Sequence, residues 1–300
     1  MPKENVIMKR LAIPLLLITA IIWGFAFAAQ REISFYMEPF TFGTIRFFLG
    51  ALSLLPLIFR KPKGETLQPQ GKKLSKACYL HGALAGVSLF LAASIQQVGI
   101  SMTSAGQAGF LSALYVVVVP IMGLLFGRKT NLNTYIALCL SLPALYFLCV
   151  KEGGFHIQKG DAFLLGSVGF WALQILLIDR YSRVHEPLAL CFAQFLVCAI
   201  LNLIFALIFE TTTWEVVMKL FFHLLYMGVG STAIAYSLQA IGQQYAKPAH
   251  AALIMSTECV FSVIAGAIFF GERMGGRALI GCCLMLLAVI LSQLPTKTKR

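Results

Sequence analysis

The chain has 300 residues, of which 59% are hydrophobic and only 12% are charged, and its mean hydropathy is +0.82. A soluble globular domain carries about 25% charged residues, so this composition excludes a single soluble core and favours a protein embedded in a lipid bilayer. The net charge of +12 would suit nucleic acid. The basic residues, however, lie in short loops and tails between apolar runs, where they set membrane orientation. We therefore predict no nucleic-acid partner.

Ten apolar runs of roughly membrane-spanning length follow one another along the chain. A transmembrane helix needs about 20 such residues, and the connections between the runs are too short for a soluble domain. The pattern predicts an all-α, polytopic membrane protein with ten transmembrane helices. The predicted helices cover residues 11–29, 40–59, 77–98, 103–126, 132–150, 162–178, 188–209, 220–241, 248–270 and 278–294.

The basic residues predict the orientation of these helices. With the N-terminus inside the cell, 17 of the 24 Lys and Arg residues fall in inside segments and six in outside segments. This bias favours a multi-pass protein of the inner membrane with both termini in the cytoplasm. The first run also resembles a signal peptide, because Lys9 and Arg10 precede it and Ala26-Phe27-Ala28 resembles a cleavage site. We expect it to be retained, since the repeat described next needs it.

The two halves of the chain share a pattern of residues at nearly constant offset, which indicates an internal duplication. Each half contains five predicted helices, an odd number, so the second half enters the membrane in the opposite orientation. We predict two inverted five-helix repeats, residues 1–150 and 151–300, around a central cavity. The matched positions are Trp23 and Trp171, Glu38-Pro39 and Glu186-Pro187, and Phe47 and Phe195 at 148 residues, and Gln96 and Gln239, Gly99 and Gly242, and Gly127 and Gly271 at 143 or 144 residues.

Together with the Trp-to-Glu-Pro spacing, three features resemble EamA-type members of the drug/metabolite transporter superfamily. They are Ile45-Arg46-Phe47-Phe48, Phe270-Gly271-Glu272-Arg273 and Glu258. The resemblance covers residues 11–294 and implies a ten-helix basket with a central cavity that exports or takes up small metabolites such as amino acids. Two positions depart from the family pattern: Gly127-Arg128-Lys129 stands where the family has Gly-Glu-Arg, and Cys259 stands where a Pro often follows the Glu.

Two ionisable side chains inside predicted helices are candidates for function, because a charge at the bilayer centre costs about 2.5–3.5 kcal/mol. Arg46, in the second helix, is a candidate anchor for a substrate carboxylate; alternatively it forms a salt bridge or a carbonyl clamp between helices. Glu258, near the midplane in the ninth helix, is a candidate carrier of a coupling proton or a fixed partner for Arg46.

Polar stripes and two tryptophans complete the candidate site. The stripes either hydrogen-bond between helices or line a wet cavity, and the tryptophans either flank a ligand or serve as packing and interfacial aromatics. His250 is also interpreted as a structural hydrogen-bonding residue. Besides the coupling candidate Glu258, the predicted cavity residues are Trp23, Arg46, Gln96, Trp171, Gln174, Gln194, Tyr236, Gln239 and His250.

Close packing and kinks are also predicted. Gly82 and Gly86 form a GxxxG pattern in the third helix, which favours close approach of another helix. Pro120 and Pro143 lie inside predicted helices, where proline removes a backbone hydrogen bond.

The remaining patterns argue against other chemistry. The eight cysteines fall in apolar runs without a CxxC or Cys/His cluster, so we predict no disulfide, metal or other cofactor. No Walker motif is present, and the His and acidic residues form no catalytic set, so we do not predict an enzyme.

The leading hypothesis is a secondary transporter that exports amino acids or related metabolites by alternating access, with proton coupling left open. An intramembrane enzyme or a non-transporting receptor are the alternatives, and a homodimer is also left open.

Overall fold

The computed structural model describes residues 3–59, 75–102, 105–125, 127, 131–149, 159–271 and 275–294. The predicted basic loop at 60–76 lies mostly outside these residues, as do Arg128, Lys129, Glu272 and Arg273. Across the described part, the secondary structure is helical without a strand. The elements are α1 Lys3–Ser34, α2 Pro39–Phe59, α3 Lys76–Ser101, α4 Ala105–Ala113, α5 Tyr115–Leu125, α6 Leu132–Cys149, α7 Lys159–Tyr181, α8 Pro187–Phe209, α9 Trp214–Lys219, α10 Phe221–Leu225, a π-helix Tyr226–Ile234, α11 Ala235–Gln243, α12 Pro248–Met255, α13 Glu258–Phe270 and α14 Gly276–Gln293.

Seven helical segments of the described chain are long and apolar enough to cross a membrane. They coincide with seven of the predicted runs, which confirms a multi-pass helical protein. The other three predicted runs contain shorter apolar helices, Leu111–Leu125, Leu132–Phe147 and Leu279–Ser292. The number of ten spans therefore stays a prediction.

Two of the predicted helices are broken in the middle. The fourth is interrupted at Leu114, between α4 and α5, and Pro120 lies inside α5 rather than at this break. The ninth is interrupted at Ser256 and Thr257, between α12 and α13. The hydroxyls of Ser256 and Thr257 each donate to a backbone carbonyl three residues earlier, at 2.8 and 2.7 Å. The two hydroxyls thus bind carbonyl groups of the helical turn that precedes the break.

Gly127 and Gly271, two matched positions of the predicted repeat, share one backbone conformation. Both adopt left-handed backbone conformations, with φ of 71° and 65°. Gly271 is the C-cap of α13, and Gly127 follows the end of α5. Glycine suits this position because it has no Cβ to clash in the left-handed region, which gives a physical reason for glycine at both matched positions.

The two Glu-Pro steps begin α2 and α8 but are used differently. In α8 the carboxylate of Glu186 accepts from the backbone N–H of Ala189 at 2.9 Å, which is an ordinary N-cap. In α2 the first backbone N–H groups, those of Phe40 and Thr41, donate instead to Glu210 at 2.8 and 2.6 Å. Glu210 follows the last residue of α8, so the cap of α2 comes from the far end of another helix.

The GxxxG pattern of α3 packs tightly against α8. A Cβ added to Gly82 would lie 2.4 Å from the Cβ of Ala193, and one added to Gly86 would lie 2.7 Å from the carbonyl oxygen of Gln194. The predicted close packing is confirmed, and the partner helix belongs to the same chain.

Substitution of Gly86 by Ala should therefore destabilise the protein. Overpacking of a tight contact costs about 1–3 kcal/mol, so we expect the thermal unfolding temperature in detergent to fall by several degrees. Gly166→Ala is the matched control, since nothing lies within 4 Å of a Cβ at this exposed position in α7. An equal change in both variants would contradict the packing argument.

A histidine pair connects α3 with the turn between α7 and α8. His81 Nδ1 and His185 Nε2 are 2.7 Å apart, and the ring of His81 stacks on Tyr181 with 3.9 Å between centroids. Partial burial, together with the nearby His81, lowers the pKa of His185 from its ordinary value of 6.5. The fold therefore favours neutral His185.

This pair should make stability depend on pH. Above pH 6.5 His185 is neutral in both the folded and the unfolded chain, and below it the unfolded chain binds the proton more readily. We expect the unfolding temperature to fall between about pH 7 and pH 5, and to fall less in His185→Gln. His223→Gln, in α10, is the control, and an identical pH slope in all three proteins would contradict this expectation.

Candidate functional site

A polar cavity lies at the centre of the helices. It is formed by α1, α2, α3 and α5 from one predicted half, and by α7, the π-helix, α11 and α13 from the other. The empty volume is about 480 Å³, including space open to solvent. The lining residues are Trp23, Ala26, Phe27, Gln30, Arg46, Gln96, Tyr115, Trp171, Gln174, Ile175, Ser231, Tyr236, Gln239 and Glu258.

Eight of the ten residues predicted for the site lie in this lining, whereas Gln194 and His250 do not. Gln194 lies behind Gln174, to which it is hydrogen-bonded. His250 forms a hydrogen bond with Thr134 of α6, consistent with its structural interpretation. Whether any of the eight lining residues binds a substrate stays a prediction.

Arg46 brings a buried cation to the cavity. The side chain is only 5% exposed, and its nitrogens make long contacts of 3.4 Å with Thr232 Oγ1 and Gln30 Oε1. The guanidinium carbon also lies 5.3 and 4.7 Å from the ring centres of Phe42 and Phe47. No carboxylate among the described residues forms a salt bridge with it. A buried guanidinium with only neutral partners is electrostatically suited to receive an anion.

The π-helix presents Thr232 to this arginine. The hydroxyl of Thr232 donates to the carbonyl oxygen of Met227, five residues earlier, at 2.8 Å. A Cβ on Gly50 would lie 2.4 Å from Thr232 Cγ2, so glycine lets α2 approach the π-helix at this depth. π-helical turns frequently occur at functional sites, and this one faces the candidate anion site.

Glu258 brings a buried carboxyl group to the same cavity. It is 5% exposed and is the first residue of α13. Its Oε1 accepts a hydrogen bond of 3.1 Å from the hydroxyl of Tyr115. Glu258 and Arg46 form no salt bridge, so the sequence hypothesis of a fixed ion pair between them is not what the structure contains.

Aromatic rings form another part of the wall. Trp23 packs edge-on against Tyr236, with 4.8 Å between ring centroids, and its indole N–H donates to the carbonyl oxygen of Ser231 at 3.1 Å. Trp171 also lines the cavity, and its indole nitrogen has no hydrogen-bond partner within the described chain. Both tryptophans thus line the cavity, and contact between them and a ligand stays a prediction.

Three buried amides form a row across α7, α8 and α11. Gln239 donates to Gln174 and Gln174 donates to Gln194, both at 3.3 Å. The polar stripes therefore do both things that the sequence left open: they hydrogen-bond between helices, and two of these residues line the cavity. Gln96, on α3, is held by a hydrogen bond of 2.9 Å to Ser112.

Three polar residues of the lining, Gln30, Tyr115 and Ser231, were missed from the sequence. Gln30 is one further step along the face of α1 that carries Trp23 and Phe27, so helical spacing was a usable signal. Tyr115 lies 143 residues before Glu258, which is also the offset between Gln96 and Gln239. An apolar run with a single tyrosine, however, gave no independent signal.

These features define a polytopic helical membrane protein with a central polar cavity. The sequence model of the EamA-like transporter family matches this chain twice, over residues 10–150 and 158–294. The chain therefore belongs to the EamA-like transporter family, and the resemblance inferred from the motifs is confirmed.

Relatives and a solved structure agree with this assignment. An "Uncharacterized transporter" of Archaeoglobus fulgidus is 32% identical over 280 residues, covering 93% of this chain and 84% of the relative. The "Threonine/homoserine exporter RhtA" of Salmonella typhimurium is 25% identical over 175 residues, covering 56% of this chain and 57% of that protein. One crystal structure of another protein aligns with a TM-score of 0.75 at 17% identity, covering 94% of this chain and 96% of that one, which supports the fold.

Proposed function

We propose that this protein is a secondary transporter that exports small zwitterionic metabolites, amino acids or related compounds, by alternating access. The observation that carries the proposal is that Arg46 and Glu258 line one cavity, are both buried, and do not pair with each other. A buried charge without an opposite charge beside it is costly. A substrate with a carboxylate and an ammonium group would compensate both.

The architecture of the proposed transporter follows from the repeat. We propose ten transmembrane helices in two inverted halves, residues 1–150 and 151–300, with both termini in the cytoplasm of an inner-membrane protein. The double match of the family model and the left-handed glycines at 127 and 271 support the duplication. Two similar units of opposite orientation can rock against each other between states of similar energy, with the substrate site between them.

Proton coupling is proposed for Glu258. Burial disfavours the charged carboxylate, so a proton and a substrate ammonium group would compete for the same oxygens. The name of the Salmonella relative supports export of amino acids as the direction and substrate class, and threonine and homoserine are therefore the first solutes to test.

The test is flux in proteoliposomes containing the purified protein. We expect uptake or release of labelled threonine or homoserine above protein-free vesicles, and a change of rate when a pH gradient is imposed. Analogues that lack either the carboxylate or the amine should move more slowly. Equal rates for zwitterions and single-charge analogues would contradict a site in which Arg46 binds a carboxylate and Glu258 binds an ammonium group. A chemically altered solute would indicate an enzyme instead.

A further inference from the structure

Two residues that directly follow helix breaks meet in the cavity. Tyr115 is the first residue of α5, after the break at Leu114, and Glu258 is the first residue of α13, after the break at Ser256 and Thr257. The hydroxyl of Tyr115 donates to Glu258 Oε1 at 3.1 Å. Each side chain is 5% exposed, so the hydrogen bond is largely protected from water.

The two residues also occupy matched positions of the predicted repeat. They are separated by 143 residues, the same distance that separates Gln96 from Gln239. The helix breaks that precede them match as well. The bond between Tyr115 and Glu258 therefore joins matched points of the two predicted halves. A rocking motion of one half against the other would change the length of this bond.

A second contact beside this bond fixes the same pair of broken helices. The thiol of Cys259, next to Glu258, donates to the carbonyl oxygen of Gly109 in α4 at 3.2 Å. Each piece of the fourth helix thus holds the start of α13. The bond to Glu258 differs from this thiol contact because its acceptor is ionisable and faces the cavity.

Few other charged groups surround the carboxyl group. The ionisable residues that line the cavity with Glu258 are Tyr115 on α5, Tyr236 on α11 and Arg46 on α2. Within the described chain, α1, α4, α6 and α14, which pack against α13, contribute no ionisable side chain to this lining. Tyr115 is thus the hydrogen-bond donor best placed to decide how the carboxyl group is oriented and which form of it is favoured.

We propose that Tyr115 is a positioning residue for Glu258. The phenol of Tyr115 holds the carboxyl group of Glu258 between the two helix breaks until a substrate ammonium group replaces the phenol as hydrogen-bond donor. The proposal rests on the proposed transport function. The phenol donates one hydrogen bond to Oε1, and an ammonium group donates up to three. Exchange of one donor for the other would break the hydrogen bond that joins α5 to α13 and thereby link substrate binding to opening.

The first measurement does not depend on transport. Thermal unfolding of Tyr115→Phe, Glu258→Leu and the double variant in detergent forms a double-mutant cycle, because leucine at position 258 removes the hydrogen-bond acceptor. We expect Tyr115→Phe to have a smaller effect when Glu258 is already Leu. Strictly additive shifts would overturn the proposal, whatever the transport assays show.

The second measurement is threonine flux as a function of pH. A hydrogen-bond donor favours the ionised carboxylate, so Tyr115→Phe should move the pH profile to higher pH by about one unit. It should also lower kcat by about tenfold, the size of one hydrogen bond to a charged group, with a smaller change in KM. An unchanged pH profile in an active Tyr115→Phe protein would overturn the proposal.

Tyr226→Phe is the matched control. Its hydroxyl donates to the carbonyl oxygen of Ile22 at 2.7 Å and does not line the cavity, so its loss should not move the pH profile. If wild-type vesicles transport neither threonine nor any other solute, the proposed transport function is wrong. The double-mutant cycle of unfolding temperatures still shows whether Tyr115 and Glu258 are coupled.

Discussion

Glu258→Gln should abolish threonine flux in proteoliposomes, or lower its rate by at least about tenfold, the size of one hydrogen bond to a charged group. Glutamine keeps the size of the side chain and its ability to accept a hydrogen bond from Tyr115. It removes both the negative charge that would bind an ammonium group and the site for a proton. The loss should therefore come from function and not from folding.

The effect of Glu258→Gln on transport is compared with two controls. Membrane insertion and the unfolding temperature of Glu258→Gln should remain close to wild type, and Glu215→Gln, at an exposed position in α9, should transport normally. If Glu258→Gln carries threonine at the wild-type rate, Glu258 has no part in the mechanism.

Arg46→Ala should raise the KM for threonine by about tenfold to a hundredfold, the range expected for loss of a hydrogen bond to a charged group. The physical reason is that the neutral partners Thr232 and Gln30 cannot replace the guanidinium as a counter-ion for a carboxylate. The measurement compares threonine with 1-amino-2-propanol, which lacks the carboxylate. Only threonine should be affected strongly.

The control for this prediction is Arg180→Ala, an exposed arginine in the last turn of α7. Equal loss for threonine and for the amine in Arg46→Ala, together with poor expression, would mean that Arg46 acts as a clamp between helices and does not bind the substrate.

The sequence predicted the coarse fold because its signals are strong and local. A run of apolar residues is recognised without knowledge of its neighbours, and the GxxxG pattern predicted a close contact that α3 makes with α8. The motifs likewise identified the family. The helix breaks were not predicted, because prolines were the only signals considered, and the fourth helix breaks at Leu114 while Pro120 lies inside α5.

The candidate site was predicted in part for a similar reason. Arg46 and Glu258 were found because a charge inside an apolar run is rare and costly. Tyr115 was missed because a tyrosine in such a run is unremarkable until its partner is known. The absence of a salt bridge between Arg46 and Glu258 depends on the relative depth and rotation of α2 and α13, which sequence spacing within single helices does not determine.

The cap that Glu210 provides has a consequence for how the bundle can move. The first turn of α2 depends on a carboxylate at the far end of α8, and Glu38 in turn accepts from the backbone N–H of Thr211 at 2.9 Å. Separating α2 from α8 at this end would break the hydrogen bonds of three backbone N–H groups at once. Since α2 and α8 belong to opposite predicted halves, the two helices should stay together through the transport cycle and act as the hinge about which the halves rock.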